Sequence, residues 1–170
     1  STAVAMETNS PLYVLEKVCL GYGDRALFAP VTTTVGTGER IGIAGANGAG
    51  KSTLLRCLAG LQPLQSGKLL FQGLHLTGWA PRRLARARAW VSQHLPDTLA
   101  FDVEGVLRLG VVPHGGGGLW SLPGHLRGRV EEVISLLALE PFRHQPFDTL
   151  SGGEQRRVMI GRALVQSQQV

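Results

Sequence analysis

A glycine-rich stretch that ends in lysine and serine is the part of the sequence most directly tied to chemistry. It runs from Gly45 to Ser52 in the order G-x-x-x-x-G-K-S. Glycines in this order let successive backbone N–H groups turn inward as a nest for phosphate oxygens, and a helix that starts there adds its positive end. The motif predicts a nucleoside triphosphate site in which Lys51 reaches the β- and γ-phosphates and the Ser52 hydroxyl coordinates Mg²⁺.

A second motif, LSGGEQRR from Leu150 to Arg157, lies far downstream. Ser151 and Glu154 have the spacing of a capping box, which starts a helix by satisfying its first N–H groups. The two glycines between them would weaken a purely structural helix start, but they suit the close approach of backbone N–H groups to a phosphate. The two interpretations are compatible, and both place the beginning of a helix at this motif.

The surrounding pattern predicts an α/β fold in which strands and helices position these motifs. Residues 1–11 are expected to be a disordered N-terminus, and the run Gly115–Gly118 is expected to be a flexible loop. We expect an α/β core from residues 12–93 and 151–170, interrupted by a helical insert over 94–150. The predicted strands are 12–20, 31–35, 39–44, 67–71 and 89–92, and the predicted helices are 54–61, 81–87, 103–109, 130–137 and 154–164.

Composition narrows the class of protein. Hydrophobic residues make up 44% of the 170 residues and charged residues 17%, as in folded globular chains. The net charge is +5, but the densest basic group, Arg82 to Arg88, is typical of a solvated helix face, so nucleic acid is not an expected partner. Cys19 and Cys57 are too few for a disulfide framework. No apolar run is long enough to span a bilayer, so a membrane role would require a partner.

The two motifs together carry a family resemblance. The loop in its specific form GANGAGKST, followed downstream by LSGGEQRR, resembles the ATP-binding-cassette (ABC) ATPases over residues 12–170. The resemblance implies a P-loop NTPase core, with a mixed sheet, flanking helices and a helical subdomain insert, that binds ATP and Mg²⁺. The loop residues that would contact ATP are Gly45, Ala46, Asn47, Gly48, Ala49, Gly50, Lys51, Ser52 and Thr53.

The resemblance implies further roles outside the loop. Tyr22 matches the aromatic residue that stacks on adenine, although without the family it would be an ordinary turn tyrosine. Gln93 matches the glutamine that contacts Mg²⁺ and the attacking water, which makes Ser52 and Gln93 the implied metal ligands. Two such domains close head to tail, so the second motif would serve the ATP of the partner through Ser151, Gly152, Gly153 and Glu154.

The chain departs from the family pattern after the second motif. The family has a strand ending in Asp-Glu and a later histidine there, whereas this sequence ends at Val170. Possible substitutes all precede the motif and do not match by order: Asp102, Glu104, His94, His114, His125 and His144. The 170 residues therefore contain no catalytic residue by this pattern, apart from a possible water contact of Gln93. We expect the chain to bind ATP without appreciable hydrolysis, and to be the front of a longer product.

A weaker similarity suggests the kind of ABC protein. Asp102–His114 is similar to a segment of ATPases of iron-siderophore, haem and cobalamin importers, although Val111 replaces the usual arginine. The implied function is the energy subunit of a transporter at the cytoplasmic face of the membrane, peripheral, with a transmembrane permease and a second nucleotide-binding domain as partners. The alternatives are a soluble ABC protein of translation or DNA repair, or a non-hydrolysing nucleotide-binding fragment. The transported molecule is recognised by other subunits.

Overall fold

The computed structural model describes residues 11–22, 25–92, 101–115 and 121–167. The chain divides into two units, residues 1–79 and residues 80–170. Residues 80–92 thus group with the helical part of the chain, whereas the sequence pattern places the boundary after Gln93. That boundary stays a prediction.

The first unit is built on an antiparallel sheet. Its strands are β1 (Tyr13–Cys19), β4 (Val31–Val35), β5 (Ser66–Phe71) and β6 (Leu74–His75), in the order β4-β1-β5-β6. A short hairpin, β2 (Gly21–Tyr22) and β3 (Arg25–Ala26), lies between β1 and β4 in the chain. A β-bulge between Leu15 and Val18 lets both side chains be buried although they are three residues apart, and they pack with Leu69 of β5 into a small core. Helix α1 (Lys51–Leu58) follows the glycine-rich loop.

Two predicted strands are wrong for the described residues. Residues 39–44 and 89–92 both lie in the described part of the chain and form no strand there. Ile41 and Val91, in these two apolar runs, are 56% and 43% exposed, whereas the sequence predicts that the strand over 89–92 is buried. A strand requires a neighbouring strand that pairs with its N–H and C=O groups. An apolar run provides side chains suited to a sheet, but it does not provide that neighbour.

The second unit is helical. Its helices are α2 (Pro81–Ala87), α3 (Val103–Leu109), α4 (Gly124–Leu136) and α5 (Gly152–Gln166). Local chemistry sets two of the starts: Pro81 occupies the first turn of α2, and the Asp102 carboxylate accepts the Gly105 N–H at 2.8 Å at the start of α3. The apolar stripe predicted from Val130 onward faces the core, where Val130, Val133 and Ile134 are buried.

A glycine in α5 permits a close contact between helices of this unit. A Cβ built on Gly161 would lie 2.8 Å from Leu107 Cδ2, 3.0 Å from Leu137 Cδ1 and 3.1 Å from Val133 Cγ1. Leu107 and Val133 are fully buried, so neither side chain has room to withdraw. Only glycine lets α5 approach α3 and α4 this closely.

Gly161→Ala is therefore expected to destabilise the protein, by about 1–2 kcal/mol, because the overpacking exceeds the gain in helix propensity. Gly128→Ala in α4 is the matched control, since a Cβ there meets no atom within 4 Å. That variant should be more stable than the parent, by about 0.5–1 kcal/mol. Urea unfolding followed by circular dichroism measures both changes. Equal stabilisation by the two alanines would contradict the close contact.

Candidate functional site

The glycine-rich loop of the first unit has the backbone geometry that its sequence predicts. Gly48 and Gly50 have φ of 81° and 90°, a left-handed conformation that residues with a side chain rarely adopt. The Ala49 N–H donates to the Ala46 carbonyl at 3.2 Å and closes a turn inside the loop. The glycines at 48 and 50 are therefore required by the path of the backbone.

Helix α1 begins directly at the end of this loop. Gly50 is its N-cap and its carbonyl accepts the Leu54 N–H at 2.8 Å, so the helix starts at Lys51, three residues earlier than the sequence predicts. The first N–H groups of a helix have no partner within the helix and carry its partial positive charge. The loop and the first turn together form a nest of N–H groups suited to an anion.

The Lys51 side chain lies across this nest. Its Nζ donates to the Gly45 carbonyl at 2.5 Å and to the Ala46 carbonyl at 2.8 Å. The ammonium group is thereby fixed at the mouth of the loop, although the surrounding residues 41–48 are exposed. A fixed positive charge beside a nest of N–H groups is an arrangement that binds phosphate.

This loop is suited to bind a divalent cation only together with a phosphate ligand. The exposed Ser52 hydroxyl, in the first turn of α1, is a hard oxygen donor of the type that Mg²⁺ prefers. Across the described ranges, no three His, Cys, Asp or Glu residues are grouped so as to hold a metal. Mg²⁺ commonly takes one or two protein ligands and completes its shell with phosphate oxygens and water. Ser52 is suited to that role.

The second motif lies in the helical unit and forms the predicted capping box. The Glu154 N–H donates to Ser151 Oγ at 3.4 Å, and Glu154 Oε2 accepts the Ser151 N–H at 2.8 Å and its hydroxyl at 2.6 Å. These hydrogen bonds, first from the hydroxyl and then from the backbone, lower the pKa of the Glu154 carboxyl, with Arg157 adding a smaller effect. The structural interpretation of this motif is confirmed.

Packing does not explain the two glycines of this motif. A Cβ built on Gly152 or Gly153 meets no atom within 4 Å, and both residues are exposed. The first turn of α5, a 15-residue helix, is therefore open to approach from solvent. This openness is compatible with the second interpretation, in which the motif faces a phosphate.

The structure describes only the backbone of Tyr22 and does not describe Gln93, the two remaining predicted site residues. Tyr22 ends β2 and pairs with Arg25, but its side chain is not among those the structure describes. Gln93 lies outside the described residues. Their roles stay predictions.

Four of the acidic and histidine residues considered as substitutes have structural partners, and a fifth, His94, lies outside the described residues. Glu104 bonds to Arg108 and Arg143, and Asp102 caps α3. His114 Nε2 lies 2.8 Å from the Gln166 carbonyl, and His144 lies 3.5 Å from Asp102. These four residues form contacts within the helical unit.

Comparison with known families agrees with both motifs. The family model described as ABC transporter matches residues 28–170, which include the glycine-rich loop and the LSGGE motif. The chain belongs to the ABC transporter ATP-binding family. The predicted family and its α/β fold class are thus confirmed.

Curated relatives of this ABC chain include two with the same printed name, hemin import ATP-binding protein HmuV. The protein from Hydrogenovibrio crunogenus is 33% identical over 89% of this chain and 56% of its own length. The one from Nitrobacter winogradskyi is 38% identical over 92% of this chain and 55% of its own length. The similarity to the haem and siderophore importer group is confirmed. The chain spans about half the length of these relatives.

A solved structure supports the ABC fold independently. The structure of an ATP binding subunit of an ABC transporter superposes with a TM-score of 0.74 at 26% identity, covering 91% of this chain and 62% of that chain. Within the described ranges, no helix is long and apolar enough to cross a membrane.

Sequence reasoning missed one residue beside the loop. The ring of Phe28 lies against Gly50. An apolar residue that follows a short hairpin has no local signal for such a contact, which only the tertiary structure reveals.

Proposed function

We propose that this chain is the ATP-binding part of an ABC importer, with ATP held by Gly45–Thr53 and Mg²⁺ held by Ser52 and the nucleotide phosphates. The observation that carries the proposal is the Lys51 ammonium, fixed across the loop carbonyls at the start of α1. Lys51 would stabilise the β- and γ-phosphates, while the N–H groups of the loop and of the first turn of α1 would bind the remaining phosphate oxygens. Bound Mg²⁺ would neutralise phosphate charge.

Adenine recognition and dimer formation complete this proposal. Tyr22 would stack on the base, and Gln93 would contact Mg²⁺ and water. The open first turn of α5, with Ser151 as its N-cap, would contact the ATP of a second nucleotide-binding domain in a head-to-tail dimer. The N–H groups of Gly152 and Gly153 suit such a contact because no side chain shields them.

The names of the relatives support a transport role. The two relatives described above are named for hemin import, so haem or a related iron chelate is the proposed cargo of the parent system. A transmembrane permease would bind the cargo and dock against the nucleotide-binding domain at the cytoplasmic face of the membrane. We propose residues 12–93 and 151–170 as the α/β core and 94–150 as the helical subdomain in that assembly.

For the 170-residue chain we expect ATP binding without turnover. Among the described residues, Asp102 and Glu104 are engaged in helix capping and ion pairs, so neither is available to activate water. Isothermal titration with MgATP should give a saturable isotherm, and a phosphate-release assay should give no signal above that of Lys51→Ala. Absence of ATP binding would contradict the proposed site, whereas turnover that depends on Lys51 would contradict only the expected lack of hydrolysis.

A further inference from the structure

The segment after β3 lies directly against the glycine that starts α1. A Cβ built on Gly50 would be 3.1 Å from both Cδ1 and Cε1 of Phe28 and 3.3 Å from Leu27 Cβ. Those distances are shorter than ordinary van der Waals contact, so the ring edge occupies the space that a side chain at position 50 would need and lies beside the Gly50 Cα. Phe28 is half-buried. The contact joins an apolar side chain to the backbone of the phosphate loop.

This segment is itself tied to the sheet of the first unit. The Leu27 N–H donates to the Leu20 carbonyl at 2.7 Å, and Leu20, which directly follows β1, is only 1% exposed. A buried anchor of this kind restrains the backbone on which Phe28 is mounted. The position of the Phe28 ring is therefore restrained by the buried backbone next to it.

Gly50 is the position in the loop at which contact with a restrained side chain has most effect on phosphate binding. Gly50 has a φ of 90° and no side chain whose packing could hold that angle. Glycine also has more conformational freedom than any other residue. Gly50 also sets the orientation of Lys51 and of the first N–H groups of α1. A small change at Gly50 would turn these groups away from the phosphate oxygens, and binding groups lose much of their effect when they are displaced by fractions of an ångström.

We propose that Phe28 is a positioning residue of the phosphate loop: its ring holds Gly50 in the left-handed conformation that directs Lys51 and the α1 N–H groups at phosphate. This proposal rests on the proposed ATP-binding function. Phe28 acts through Gly50 and touches no phosphate itself. Its effect should therefore appear with any ligand that fills the loop, whether or not that ligand carries adenine.

Phe28→Ala tests the proposal with two ligands. The Kd for MgATP and the Kd for inorganic tripolyphosphate are each expected to rise about tenfold, measured by displacement of a fluorescent ATP analogue. Tripolyphosphate has no base, so an equal loss for both ligands places the effect at the loop. Phe28→Leu retains an apolar side chain against Gly50 and should restore both affinities to within about threefold of the parent.

Phe71→Ala is the matched control for general loosening of the same unit. Phe71 is buried in β5 and its ring packs on Tyr13 and Trp79, with centroids at 4.8 Å and 5.2 Å. This variant should lower the thermal midpoint but leave the tripolyphosphate Kd of the folded protein unchanged. An equal loss of affinity in Phe71→Ala and Phe28→Ala would show loosening of the whole unit and overturn the proposal.

Two further outcomes are decisive. Parent-like tripolyphosphate binding by Phe28→Ala, with binding lost in Lys51→Ala, overturns the positioning role and leaves the proposed function intact. Unchanged binding in Lys51→Ala overturns the proposed function itself.

Where Phe28→Ala does not fold, Phe28→Val replaces it, since this smaller truncation still opens a gap beside Gly50. It should raise both Kd values about threefold, and parent-like values in that variant would also overturn the proposal.

Discussion

Lys51→Ala is expected to weaken MgATP binding about 100-fold, the largest effect of any single substitution in the loop. The ammonium group donates to the Gly45 and Ala46 carbonyls and is thereby held at the mouth of the nest. Hydrogen bonds to charged groups are worth about 1.5–3 kcal/mol each, and a triphosphate offers more than one acceptor. Alanine removes the only lysine of the loop and leaves the N–H groups to bind the phosphates alone.

Lys68→Ala provides the matched control for this result. Lys68 belongs to the same unit, its side chain is 63% exposed, and it forms a surface ion pair with Glu16 at 3.5 Å. The substitution makes the same change in net charge away from the loop, so the Kd for MgATP should stay within about twofold of the parent. Isothermal titration at fixed salt measures both variants. Similar losses in the two would mean that net charge, and not a site at Lys51, attracts the nucleotide.

Glu104→Ala is expected to destabilise the helical unit by about 3 kcal/mol. The Glu104 carboxylate is buried and accepts from Arg143 Nε at 2.6 Å and from Arg108 Nε at 2.9 Å, while Arg143 also bonds to Glu131. These pairs link α3, α4 and the segment after α4. Removal of the carboxylate takes one ionic partner away from each of two partly buried guanidinium groups, a change that costs more than the pair itself contributes.

The difference in stability between the parent and Glu104→Ala is expected to disappear in acid. The hydrogen bond from Arg143 lowers the pKa of the Glu104 carboxyl, desolvation opposes it, and Arg108 lowers the pKa further. A lowered pKa in the folded state means that the stabilisation is complete above the unfolded-state pKa of roughly 4.3 and is lost as the pH falls through the lower folded-state value. The free energies of unfolding of the parent and Glu104→Ala should therefore differ fully at pH 7 and converge in stronger acid.

The control for Glu104 is a carboxylate on the surface of the same unit. Glu132 lies exposed on α4, and its substitution by alanine should change stability by less than about 0.5 kcal/mol. Urea unfolding at several pH values separates the two. A difference between Glu104→Ala and the parent that is independent of pH would attribute the loss to packing and reject the ionic explanation.

The two motifs were predictable from the sequence because their geometry is local. Left-handed glycines and a capping box between Ser151 and Glu154 both depend on residues within about one helical turn. Family and fold class follow from the same short segments, and the comparisons confirm them. A pattern of this kind specifies the chemistry of a loop without knowledge of what surrounds it.

Tertiary structure decided the features that join residues distant in sequence. Residues 39–44 and 89–92 have the composition of strands but carry no strand assignment, because pairing depends on a neighbouring strand and not on the run itself. The contact of Phe28 with Gly50, the fit of Gly161 against α3 and α4, and the pairing of Glu104 with Arg143 likewise join separate elements. The sequence by itself determined the glycine-rich motif and hence the groups proposed to bind phosphate, because that motif depends on local backbone conformation. Packing between elements decided what lies against those groups, with the Phe28 ring beside Gly50, because such contacts join residues that are distant in the chain.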